Sequence, residues 1–187
     1  NGQFSGLTNI VSYSEQFIRL HADGNLMGSG HFTATWQLPV DSLYDRFLLD
    51  ARLDSLDLLS LNEIVKPLAP AEVVSGWAQD VVFHMDASSR KGRIRLDFPY
   101  RKLKVALLKE KDGETTQKGF LSRLANLVLR DNNPAHPERK DSKLRKVDME
   151  IVRDPYHSTF SYLWQMLRPA LVESVGVSKK EQDAALK

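Results

Sequence analysis

The chain has 187 residues, of which 42% are hydrophobic and 27% are charged, and it contains no cysteine. This composition is typical of a globular chain with a sizeable core, and it excludes a disordered or collagen-like chain, a disulfide framework and cysteine-based catalysis or zinc binding. The net charge of +2 predicts no obligatory nucleic-acid or anionic-membrane partner, and no nucleic acid is expected.

Charge is distributed unevenly along the sequence. Residues 1–89 carry 4 basic and 11 acidic side chains, residues 90–146 carry 17 and 7, and residues 147–187 carry 5 and 6. The basic middle third fits a patch for phosphates or lipid head groups, and it fits solvated strand faces and loops equally well.

No apolar stretch is long enough to span a membrane, and the chain starts at Asn1 with neither an initiator methionine nor a signal-peptide pattern. We therefore expect a mature or truncated fragment whose targeting or anchoring segment lies upstream.

The first half of the chain alternates apolar and polar residues with the period of half-buried strands. The sequence Ala22-Asp23-Gly24-Asn25 predicts a tight hairpin turn between strands at residues 15–20 and 27–32, because these residue types tolerate a positive φ. Further two-faced strands are predicted at residues 32–38 and 45–53.

A short connecting helix is predicted between residues 56 and 71, with Ser60 as a candidate N-cap and Pro67 and Pro70 at its end. Strands then resume over three ranges, with Gly76 marking a possible bulge in the first. These ranges are residues 73–85, 92–98 and 102–108.

The last third predicts two amphipathic helices separated by a loop and a strand. The first helix runs from residue 120 to 130, a mobile polar loop covers 131–145, and a strand covers 147–151. Asp154-Pro155 is expected to cap and start the second helix, and the tail 177–187 is expected to fray.

The predicted fold is therefore α+β and mainly antiparallel β. We expect one domain over residues 1–176, built from a long curved sheet, groove-like or a half-barrel, with two or three short covering helices.

Catalytic and metal-binding motifs are not found in the sequence. The five histidines lack HExxH spacing, GxSxG is missing, and the row of Asp80, His84 and Asp86 on one strand face is explained by a solvated polar surface. The sequence thus predicts no enzyme, no cofactor and no metal site. It also predicts a sheet with an apolar face, which must be covered by other elements of the chain or contact an apolar partner.

Five motifs stand out in the later part of the chain. They are a strand leading into a leucine-asparagine helix at residues 53–62, a strand start at 73–78, a strand pair at 92–105, an asparagine-rich loop at 125–134, and the Arg153-Asp154-Pro155 start of an aromatic helix reaching Trp164. Together they resemble the AsmA-like superfamily of bacterial envelope proteins in its C-terminal portion, and the resemblance covers roughly residues 50–176.

This resemblance implies a non-enzymatic module on the periplasmic face of the bacterial envelope, in a parent protein anchored in the inner membrane. It implies a contribution to phospholipid handling or outer-membrane homeostasis through an apolar groove, with acyl chains as the partner. The alternative is a structural or protein-docking end domain that binds no lipid.

Three sets of residues are candidates for these roles. The groove would be lined by Phe32, Ala34, Trp36, Leu38, Ile94 and Leu96, unless the helices close these positions into a core. A membrane surface or an envelope protein would dock on Phe160, Leu163, Trp164, Leu167, Arg168 and Leu171, a stripe that core packing explains as well. Anionic head groups would meet Arg93, Arg95, Lys102 and Lys104, for which solvation is the alternative.

Overall fold

The computed structural model describes residues 1–6, 17–39, 46–68, 71–107, 109–111, 114–116, 130–154, 156 and 158–176. Its strands are β1 Gly2–Ser5, β2 Phe17–Leu26, β3 Gly30–Pro39, β4 Phe47–Asp57, β5 Ala71–Ala87, β6 Lys91–Asp97, β7 Tyr100–Leu107, β8 Lys109–Lys111, β9 Glu114–Thr116 and β10 Lys146–Val152. Its helices are a 3-10 turn at Leu58–Leu61, α1 at Asn62–Leu68 and α2 at Thr159–Ser174.

The main sheet has eight antiparallel strands and is open, which confirms the predicted fold class. Its order is β1-β2-β3-β4-β5-β6-β10, and β7 pairs with the first half of β5. Strands β8 and β9 form a separate ribbon. The predicted helix at 120–130 and the predicted frayed tail lie outside the described residues.

Strand β5 is the longest and organises the sheet. Its second half pairs with β6 and its first half with β7, so β6 and β7 act as one long strand interrupted at Phe98 and Pro99. The predicted bulge is confirmed: Gly76 has a φ of 148° and the β5–β7 register shifts on both sides of Ser75.

The predicted position of the first hairpin turn is wrong. Asp23 and Gly24 lie inside β2, where they pair with Thr33 and Phe32, and the chain turns at residues 27–29 instead. Gly28 has a φ of 75° there. Met27 and Gly28 thus supply the positive φ values that the turn requires.

Both predicted helix starts are displaced. Asp57 rather than Ser60 caps the 3-10 turn, and its carboxylate accepts a hydrogen bond from the Leu59 N–H at 3.0 Å. Helix α2 begins after Ser158, which is its N-cap. Asp154 instead accepts from the N–H of Tyr156, an Asx turn that competes with helix initiation.

Asn62 occupies the edge of β5 beyond the end of β4. Its side-chain amide donates to the Val73 carbonyl at 2.8 Å and its amide oxygen accepts from the Val73 N–H at 2.7 Å. One side chain thereby supplies both hydrogen bonds that a neighbouring strand would have made, which explains why the connector can leave the sheet here.

The 131–145 loop is attached to the sheet through Asn133, which is only 2% exposed. Its side chain donates to the carbonyls of Phe98 and Arg145, and its backbone pairs with Tyr100 in an isolated bridge. This segment has neither helix nor regular strand, as predicted, and its mobility stays a prediction.

Candidate functional site

The strand register aligns apolar side chains in rows across one face of the sheet, here called the apolar face. Directly paired residues of an antiparallel sheet share a face, so the rows follow from the pairing alone. One row crosses seven strands through Phe4, Leu20, Trp36, Leu49, Met85, Ile94 and Met149. The next row runs through Ala22, Ala34, Ala51, Phe83, Leu96 and Val147.

All six candidate groove positions belong to this face, but they differ in accessibility. Ile94 and Leu96 on β6 are 0% and 1% exposed, so they belong to a closed core. An open groove at these two positions is therefore wrong, because α2 packs over β6 and β10 and shields them from solvent.

Helix α2 fits closely against β6 because Gly92 has no side chain. A Cβ at this position would lie 2.7 Å from both the Tyr162 hydroxyl oxygen and the Met166 Cε. Tyr162, Met166 and Ala170 form the fully buried stripe of the helix. This stripe is rotated from the predicted one, since sequence periodicity did not indicate which side of a largely apolar helix faces the sheet.

The predicted docking stripe lies beside this buried stripe. Leu163, Leu167 and Leu171 pack partly buried against the core, which agrees with the core-packing alternative for these three. Trp164 and Arg168 are partly exposed. The side chain of the sixth candidate, Phe160, lies outside the described part of the chain.

The opposite half of the apolar face is more exposed. Phe4 is 64% exposed, and Leu20, Phe32 and Trp36 are partly exposed. The Trp36 ring stands edge-on to that of Phe47, with centroids 5.5 Å apart, and Phe47 contacts Tyr162 in the same manner at 6.0 Å. Aromatic side chains thus connect the exposed half of the face to the half under α2.

The other side of the sheet, here called the polar face, carries alternating charges that pair across strands. The row containing Asp50 and His84 illustrates the pattern, with His84 Nδ1 lying 2.6 Å from the Asp50 carboxylate. Further pairs are Arg46–Asp86, Arg52–Asp80, Lys91–Glu150, Arg93–Asp148 and Lys146–Asp97. Exposed pairs of this kind contribute little to stability individually.

Arg93 and Asp148 form the best-aligned of these pairs. Two nitrogens of the guanidinium donate to the two carboxylate oxygens at 2.6 and 2.7 Å. The hydrogen bonds from Arg93 lower the pKa of Asp148, and those to Asp148 raise the pKa of Arg93. A cation bound in this way is less available to an external anion.

The four predicted basic residues do not form one patch. Arg93 and Arg95 lie beside the second half of β5, where Arg95 faces His84, whereas Lys104 pairs with Ser75 near its start. Nine residues of strand separate the two sites, about 30 Å. Lys102 and Lys104 are exposed and have no ion-pair partner among the residues that the structure describes.

Titratable residues elsewhere do not converge on a reactive centre in the described ranges. His31 lies between Asp23 and Asp54, at 3.3 and 3.2 Å, in an exposed ion-pair cluster. Within those ranges, no group of three histidines and carboxylates has the placement to hold a metal ion. None of the described helices combines the length and apolar character needed to span a bilayer.

Comparison of the chain with protein-family models, curated proteins and solved structures finds no match. The geometry of the two sheet faces is therefore the basis for a functional proposal.

Sequence reasoning missed most of the row that crosses the apolar face. Leu20, Leu49 and Met149 were placed on strands or near them, but their alignment with Trp36 depends on strand register. The register is set by turn positions, and one of these was predicted four residues too early.

Proposed function

We propose that this chain is a non-enzymatic module of the bacterial cell envelope that handles phospholipid by holding acyl chains against the exposed half of its apolar face. The observation that carries the proposal is the apolar row that continues from the covered core through the partly buried side chains of Trp36 and Leu20 to the exposed side chain of Phe4. Burying this surface against a hydrocarbon chain is favourable by about 25 cal/mol per Å².

The two faces have complementary properties for this role. The apolar face offers contiguous side chains without charge along its rows, whereas the polar face pairs most of its charges internally. Acyl chains are matched by apolar area and make no hydrogen bonds, so they need no converging polar side chains. The resemblance to AsmA-like envelope proteins supports a lipid ligand and a periplasmic setting for the module, and it covers residues 50–176, outside the β1–β3 strands that carry the proposed site.

A second candidate is a structural or protein-docking end domain that binds no lipid. The observation favouring it is the closed core beneath α2, where two of the six proposed groove positions are already buried by the chain itself. In that case the exposed half of the face would meet an envelope protein.

The test is native mass spectrometry with lipid extraction on protein purified without detergent. We expect wild type to retain phospholipid and Leu20→Asp to lose it, because a bound acyl chain would remove water from the carboxylate, which costs free energy. His21→Asp is the matched control, because it makes the same replacement one residue further along β2 on the polar face. Trp36→Asp is the stronger perturbation at the centre of the row.

A lipid-free wild-type protein would contradict the proposal and favour the end-domain candidate. Equal lipid retention by Leu20→Asp and His21→Asp would also contradict it. Circular dichroism on each variant establishes that lipid loss occurs in a folded chain.

A further inference from the structure

The polar face is not uniform along β5. Beside the second half of this strand most charges are paired, β4 and β5 through Asp50–His84 and β6 and β10 through Arg93–Asp148 and Lys146–Asp97, whereas Arg95 has no ion pair among the described residues. Beside the first half, β7 contributes Arg101, Lys102 and Lys104, all exposed and without an ion-pair partner in the described ranges. Three cations without such a partner therefore lie at this end of the face, and Asp57 on β4, which pairs with Trp77, directs its carboxylate to the Leu59 N–H.

Two large apolar side chains lie at the same end. Trp77 is 48% exposed and Val74 is 52% exposed, although both belong to a central strand of the sheet. Trp77 pairs directly with Arg101, and both point away from the core because their neighbours Ala78 and Tyr100 are buried as a pair on the apolar face. The bulge around Gly76 sets this orientation, since it shifts the β5–β7 register.

We propose that these five residues form a docking surface for an anionic phospholipid membrane. The surface, here called the Trp77 patch, consists of Val74, Trp77, Arg101, Lys102 and Lys104. It lies on the opposite side of the sheet from the acyl-chain site, so the inference goes beyond the proposed function and stands or fails separately.

Charge complementarity and the aromatic residue select this occupant. Lys and Arg side chains near a negatively charged bilayer each strengthen binding, and a Trp ring is favoured at the head-group level because it is amphipathic. Val74 adds apolar surface that can enter the same interface. A nucleic acid would favour several stacking aromatics along the cations, whereas this patch offers a single ring.

The backbone geometry keeps the cations in place independently of their side chains. The Lys102 N–H donates to the Asn132 side chain at 3.0 Å, and the Lys102 carbonyl accepts from the Ser75 hydroxyl at 2.8 Å. Replacement of the lysine side chains therefore leaves these hydrogen bonds intact, which makes charge variants clean probes of binding.

The experiment is co-flotation of the full chain with vesicles of phosphatidylcholine alone or mixed with phosphatidylglycerol, at low and high salt. We expect wild type to bind the mixed vesicles in a salt-sensitive manner. Lys102→Gln/Lys104→Gln should bind them about 25-fold more weakly, because each cation near the surface contributes roughly a fivefold gain. The matched control is Lys140→Gln/Lys143→Gln, which removes the same charge from the exposed 131–145 loop.

Trp77→Ser tests the aromatic component. It should weaken binding to both kinds of vesicle. Because about half of the ring is buried, the melting temperature should fall modestly, and circular dichroism establishes that the variant is folded at the binding temperature. The inference is overturned if wild type binds neither vesicle, if the control pair weakens binding as much as the patch pair, or if Trp77→Ser binds like wild type. Each of these readouts is independent of whether the purified protein carries bound lipid.

Discussion

The Asp148 carboxylate links the polar face to solution pH. The guanidinium of Arg93 holds the pKa of Asp148 below its ordinary value by hydrogen bonding to the ionised form. A depressed folded-state pKa stabilises the fold above the unfolded-state pKa, and the contribution is lost as the pH falls through the folded-state value.

Replacing Asp148 with Asn tests this linkage. We expect Asp148→Asn to melt at a slightly lower temperature than wild type at neutral pH, and the difference to shrink as the pH falls below about 4, the ordinary range of an aspartate pKa. Thermal unfolding followed by circular dichroism across this range measures it. Asp141→Asn is the control, because it removes an exposed carboxylate that pairs with Arg139 within the 131–145 loop and not across strands. A difference that persists undiminished at low pH would show that Asp148 acts through something other than its charge.

Helix α2 is attached to the sheet by two buried tyrosines with different hydrogen bonding. The Tyr100 hydroxyl donates to the Ser174 carbonyl at 3.3 Å, joining β7 to the end of the helix. The Tyr162 hydroxyl has no hydrogen-bond partner among the described residues, while its ring contacts Arg153. Burial raises the pKa of both tyrosines to about 12.

The same substitution should therefore have opposite effects at these positions. Tyr100→Phe loses a hydrogen bond and leaves a buried carbonyl unpaired, so we expect the free energy of unfolding to fall by about 1 kcal/mol. Tyr162→Phe removes a buried polar atom that makes no bond, so we expect no loss or a gain of up to about 1 kcal/mol. Urea unfolding of both variants measures the difference, and equal losses would contradict this account.

Some elements of the fold were predictable from the sequence and others were not. Strands such as β4, β6 and β10 were predictable because strict alternation reflects one buried and one solvated face. The orientation of α2 was not predictable, because apolar residues lie on more than one side of the helix and either side could pack on the sheet. The choice of Tyr162 and Met166 depends on the space above Gly92, which exists only once β6 and the helix meet.

The candidate site was predictable in composition but not in extent. The groove residues of β3 and β6 were correctly assigned to one face, because side-chain direction follows from alternation within each strand. The division of this face into an exposed and a covered half was not predictable, because it depends on where α2 docks. Of the Trp77 patch, sequence reasoning named Lys102 and Lys104 as head-group contacts but grouped them with Arg93 and Arg95. It missed Val74, Trp77 and Arg101, because the bulge at Gly76 changes which residues share a face and alternation cannot be extrapolated across a bulge.

At the scale of the whole molecule, burial decreases across the sheet from β6 to β1. Alternate residues of β6 are fully buried beneath α2, whereas every residue of β1 is exposed. Regions with few buried apolar contacts open more readily than the core, so the sheet should contain a stable half and a labile half. The labile half is the one that carries the proposed acyl-chain site.

Hydrogen exchange measured by mass spectrometry tests this division and its link to function. We expect amides of β5 and β6 to be the most protected and those of β1 and β2 to exchange first in lipid-free protein. Addition of a phospholipid should slow exchange in β1, β2 and β3 specifically, because ligand binding stabilises the states that bind it. Leu20→Asp should abolish this effect while His21→Asp retains it.

Uniform protection across the lipid-free sheet would contradict the graded core, and unchanged exchange with lipid would contradict the acyl-chain site. The two results can occur separately, because the gradient arises from α2 and the lipid effect from the face that α2 leaves exposed.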